Sequence, residues 1–136
     1  MIDDAEIRRR LDELTHALRT VHKALVELVR AEYEKRHDGR VLGPVQLFQL
    51  LTTDPFFDWL HPMSALMAEI DELYDQKEPI APDAVAAVRA TLEGLVGHRG
   101  QEPSPESFVS RYLEILQNHP EVVMEHARLR RALDRL

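Results

Sequence analysis

Apolar residues recur along the first quarter of the chain at alternating spacings of four and three: Ile7, Leu11, Leu14, Leu18, Val21, Leu25 and Leu28. A period of 3.5 sustained in this way is the seam of a helix packed lengthwise against near-parallel neighbours. His22, Val29 and Tyr33 widen the seam on one flank, so the stripe is broader than a two-stranded zipper needs. Asp3 or Asp4 supplies an N-cap and Gly39 a stop. The pattern predicts one helix from Asp4 to Arg36, about 50 Å long at 1.5 Å per residue.

Prolines punctuate the rest of the chain. Gly43-Pro44 opens a short helix through Leu51 with Val45, Leu47, Phe48 and Leu51 apolar. Asp54-Pro55 pairs an N-cap acid with proline at the first helical position. From there Phe56, Leu60, Met63, Met67, Ile70 and Tyr74 form a stripe that Trp59, Leu66 and Leu73 broaden. Pro62 lies inside that stripe and cannot donate to the carbonyl four residues back, so a kink or a restart is expected at His61-Pro62. A loop at Gln76–Ala81 leads to a helix from Pro82, carrying Val85, Val88, Leu92 and Leu95 and ended by Gly97 and Gly100. Ser104-Pro105 opens another, with Phe108, Tyr112, Ile115 and Leu116 inward. Pro120 breaks or bends the chain after His119, since a residue before proline avoids the helical region. The last stripe is Val122, His126, Leu129, Leu133 and Leu136.

No segment alternates with period two, and there is no internal repeat. The pattern is that of a single all-α domain over 1–136, four-helix-bundle-like. Its long helices are 4–36, 55–75 and 82–96, with 105–135 as a bent fourth and 44–51 as a short cap. The first helix is about twice as long as the 82–96 helix, roughly 50 Å against 24 Å. Its apolar surface would overhang unless the fourth helix or a second copy covers it, which points to a homodimer.

Composition narrows the function classes. The formal charge of −7 argues against a general nucleic-acid binder. Zero cysteines removes thiol catalysis, disulfides and thiolate zinc sites together. Acidic residues at the start, with no apolar run behind them, do not resemble a secretory leader, and no stretch suits a membrane span, so the expected setting is cytoplasmic. The charge is uneven. Residues 41–82 hold seven acids (Asp54, Asp58, Glu69, Asp71, Glu72, Asp75, Glu78) against one base, Lys77. This segment is either a solvated helix face or a docking face for a basic partner, or for the Arg128, Arg131 and Arg135 row. The Arg8-Arg9-Arg10 run and the C-terminal arginines sit among interleaved acids, and nothing marks a base-reading helix.

Tests for catalytic and cofactor chemistry are negative. Glu13-x-x-His16 and Glu34-x-x-His37 match half of a di-iron motif, but both lie on the same helix, and His16 falls about 180° from the apolar seam. No phosphate loop, serine nucleophile or zinc-protease motif occurs. No motif requires a cofactor, and nothing asks for an enzyme. What remains are polar residues on or beside apolar stripes. His22 and His126 interrupt such stripes, Asp71 and Ser64 sit about 20° and 40° from Leu60 around their helix, and Tyr112 faces inward. Trp59 can offer its indole N–H, and His61 marks the proline kink. Buried polar groups must be paired, so these seven form hydrogen-bonded networks or line a pocket for a small ligand, haem or a metal. Two functions fit these features. The first is a non-enzymatic regulatory or scaffolding protein acting through protein–protein contacts, with the acidic 54–78 segment, Asp58, Asp75 and Glu78 included, as the partner surface. The second is a small-ligand, haem or metal sensor with a histidine-containing pocket.

Overall fold

The structure is a computed structural model that describes residues 2–97 and 107–136. It is all-helical, without strands among the described residues. Helix α1 spans Asp4–Arg36, capped by the Asp3 carboxylate accepting from Glu6 N–H at 2.9 Å. Its end is set by Asp38 and Gly39 at φ 59° and 74°, the left-handed conformation that stops a helix. Helix α2 covers Pro44–Thr53, and a 3₁₀ segment, Pro55–Leu60, follows at once, its start capped by Asp54. Helix α3 is His61–Asp75, α4 is Pro82–Val96, α5 is Phe108–Asn118 and α6 is Pro120–Asp134.

Pro62 acts as a restart: the 3₁₀ segment hands over to α3 at His61, so proline falls in the first turn, where its missing N–H costs nothing. The bent fourth helix expected from the sequence is two helices. His119 takes an extended conformation (φ −132°, ψ 91°) and separates α5 from α6. The expected opening at Ser104-Pro105, and the stop at Gly100, lie outside the described residues. The cap that begins α5 is the Ser107 hydroxyl on Ser110 N–H.

Helix α1 is the spine, flanked by α6 on one side and α3 on the other, while α4 joins α3 to α5 and α5 joins α6. Both flanking helices run antiparallel to α1. Arg19 meets Asp71 and Tyr33 meets Phe56 along α3 and its approach, while Arg135 reaches back to Glu13 from the end of α6. The seam Leu11, Leu14, Leu18, Val21 and Leu25 is fully buried, joined by Ile70, Met63, Leu92, Leu129 and Leu133. The spine does not overhang. Val29 is buried, Tyr33 packs on Phe56 and Phe57, and Leu42 is buried where Arg30 Nη2 holds its carbonyl at 2.7 Å. The ground on which the sequence suggested a dimer is therefore filled by the chain itself. Among the described residues no helix is long and apolar enough to cross a membrane.

Candidate functional site

The polar residues on apolar stripes resolve into two hydrogen-bonded pairs. His22 Nε2 lies 3.0 Å from Ser64 Oγ, joining α1 to α3, and burial pushes the imidazole below its ordinary value, so the neutral ring is the resident form. The fully buried Tyr112 places its hydroxyl 2.7 Å from His126 Nδ1, joining α5 to α6, and burial raises the phenol above its usual range. Phe108 stacks on Tyr112 at 5.4 Å, and Trp59 lies tilted against Phe108 at 5.6 Å. These residues fill space between helices. The surface grooves between α1 and α6, along α1 and α5, and beside α2 are lined by none of His22, Ser64, Tyr112 and His126. Among the described residues no three His, Asp or Glu side chains converge as metal ligands. Asp71 does not join the histidines: it pairs with Arg19, at 3.1 Å, in an exposed contact between α1 and α3. His61 is exposed beside Asp58, 3.7 Å away.

The acidic segment divides according to helix geometry. Burying Met63, Leu66 and Ile70 turns Glu69, Glu72 and Asp75 outward. These three form no ion pair with any described residue, in contrast to α1, where Asp4, Glu6, Glu13, Glu27, Glu32 and Glu34 each find an arginine. Asp58 lies at the opposite end of α3 from Asp75 and Glu78. The 15 residues of α3, about 22 Å at 1.5 Å each, therefore separate Asp58, in the 3₁₀ segment, from Asp75 at the helix end and Glu78 in the connection beyond it. Glu78 contributes its backbone as well: its carbonyl accepts from Arg8 Nη2 at 3.0 Å.

The arginine row lies elsewhere. Arg128, Arg131 and Arg135 line one wall of a groove of about 480 Å³ between α6 and α1, with Asp12, Glu13, His16 and Arg19 opposite. Arg128 reaches Glu125 at 3.6 Å and Arg135 reaches Glu13 at 3.8 Å, while Arg131 has no ion pair among the described residues. Among the described residues, none of these three arginines pairs with an acid of α3, whose acids make one ion pair, Asp71 with Arg19.

Two features were missed at the sequence level. Val41, Val45 and Phe48 are 74%, 70% and 68% exposed, so α2 caps the bundle through Leu47, Leu50 and Leu51 and turns its other apolar residues to solvent. The absence of any charge in Pro44–Thr53, in a chain that is 30% charged, was the available signal. Two shallow grooves also meet at Trp59 and Arg111, one running along α1 and α5, the other toward Phe56. No protein-family profile, curated protein or solved structure matches the chain.

Proposed function

We propose that this protein is a non-enzymatic regulatory or scaffolding module that acts through protein–protein contacts, with the outer face of α3 docking a basic partner. The observation that carries the reading is the row Glu69, Glu72 and Asp75, outward and without ion pairs among the described residues, on a protein whose other long helix pairs nearly all its acids. Like charges held along one helix repel one another and destabilise it slightly. A cation supplied from outside relieves that repulsion and gains speed and specificity of encounter. The homodimer expected from the sequence belongs to this reading, because a second copy brings its own arginines.

The test compares wild type with Glu69→Gln/Glu72→Gln/Asp75→Asn as baits in affinity capture from native extract, quantified by mass spectrometry. The circular dichroism and melting of the two baits are matched first. The reading expects a set of captured proteins that the neutralised bait loses. An identical set for both baits, or an empty one, overturns it.

A further inference from the structure

Of the polar residues singled out on or beside the apolar stripes, only Trp59 lines a groove among the described residues, and it lines two. We propose that these two grooves form one trough that binds a linear amphipathic carboxylate, of the medium-chain fatty-acid class, with Arg111 and Lys35 holding its head group. The first groove, along α1 and α5, encloses about 400 Å³ and the second, toward Phe56, about 410 Å³. They share Val29, Glu32, Trp59 and Arg111, so they are continuous. Together they follow α1 from Leu28 to Arg36, about 12 Å at 1.5 Å per residue. One wall is α1, the other is α5, and the 3₁₀ segment contributes Phe56 and Trp59 between them.

The floor is the edge of the core. Leu28, Phe56, Trp59 and Ile115 are partly buried and pack against it, and Val29 is buried. Trp59 rests against Phe108 at 5.6 Å, and the Arg36 guanidinium lies 5.4 Å over Phe56. Apolar floor left in contact with water is what the hydrocarbon of a ligand covers favourably, and each groove falls in the volume range of small-molecule sites. A trough that runs along one side of a helix accommodates an extended acyl chain such as that of octanoate.

The charges around this floor select the head group. Glu32 is already taken by Arg36, at 2.8 Å, and His119 by Glu121, at 3.2 Å. Asp58, which lines only the second groove, is 65% exposed beside His61. In the first groove Arg111, Lys35 and Glu114 make neither an ion pair nor a side-chain hydrogen bond among the described residues. Two cations against one acid leave a net charge of +1, which a single carboxylate balances. Arg111 stands on α5 and Lys35 on α1, so the two cations reach the head group from opposite walls. A guanidinium fork takes both oxygens of a carboxylate, and beside an apolar floor that pairing is stronger than in open water. A neutral or cationic head group would leave both cations without a partner.

Trp59 is the chain's one tryptophan, so its emission reports on this site. The test titrates the full chain with octanoate to about 3 mM, past the roughly 1 mM affinity that a ligand of this size reaches, with 1-octanol and octylammonium as controls of the same chain length. Octanoate is expected to give a saturable change in Trp59 emission. Octanol and octylammonium should bind at least about 10-fold more weakly, since neither pairs with the two cations. Lys35→Gln/Arg111→Gln alters two exposed, unbonded side chains, so it should keep the wild-type melting temperature and weaken octanoate by about 10-fold. Ala31→Phe fills the first groove from an exposed position on α1 and should abolish the response with helicity unchanged. The absence of a saturable change with octanoate overturns the proposal. So does an affinity for octanol equal to that for octanoate, an affinity that Lys35→Gln/Arg111→Gln leaves unchanged, or a response that survives Ala31→Phe.

Discussion

Arg8 ties the first turn of α1 to the connection between α3 and α4, and removing it has a calculable cost. Its guanidinium donates through Nη1 to the Tyr74 carbonyl at 2.5 Å, and through Nη2 to the carbonyls of Gln76 at 2.9 Å and Glu78 at 3.0 Å. Nε donates to Asp4 Oδ2 at 2.7 Å, and the other Asp4 oxygen accepts from Ile80 N–H at 2.7 Å. Net worth per intramolecular hydrogen bond is about 0.5–1.5 kcal/mol, with solvent-exposed bonds at the low end. Two of the three carbonyl bonds are exposed and one is partly buried. Their sum is about 2 kcal/mol, which Arg8→Ala should lose. Arg8→Lys keeps the charge but replaces a rigid fork by a point donor that cannot serve three carbonyls at once, so it should recover about half. Urea unfolding followed at 222 nm measures both, with an unchanged m-value as the sign that only stability moved. The Ala variant should also melt roughly 6–10 °C lower. If Arg8→Ala stays within about 0.3 kcal/mol of wild type, or if Lys equals Arg, the carbonyl clamp is not a stabilising element and the reasoning fails.

The interior pairs give two further outcomes. Tyr112→Phe removes the hydroxyl that meets His126 at 2.7 Å and should cost about 1 kcal/mol in the same urea assay, with helicity unchanged; a neutral result would mean that the bond contributes nothing net. His22 carries a folded-state value below the ordinary one, so below about pH 6.5 the unfolded chain binds a proton that the folded chain resists. Its contribution is complete above that pH and declines as pH falls from there toward the lowered value. Stability should therefore slope downward into this window, and His22→Gln should flatten the slope; a slope that persists in the variant assigns the effect to another group.

The helices were legible in the sequence because their signals are local. The Leu11–Leu25 seam, the Asp54-Pro55 start and the Gly39 stop each depend on residues within about four positions, which is the reach of a helical turn and its caps. The burial of Ile70, Leu92, Leu129 and Leu133 followed from the same periodicity. The limits were local too: Pro62 announced a discontinuity, but only the preceding residues' 3₁₀ conformation made it a restart. Val45 and Phe48 look like core in an apolar helix and are exposed, because α2 meets the bundle with one side only.

Long-range pairing was of another kind. His22 found Ser64 across 42 positions and Arg8 found Glu78 across 70, while Arg9 and Arg10, its immediate neighbours, turned to acids on their own helix. Spacing says on which face a side chain lies, but a shift of one residue in the register between two antiparallel helices rotates the meeting residues by about 100°. The chain's periodicity thus decided which residues are inside and where each helix begins. The docking of α3 and α6 against α1 decided which acids are neutralised and which are left outward, because that depends on relative height and rotation that no single helix encodes.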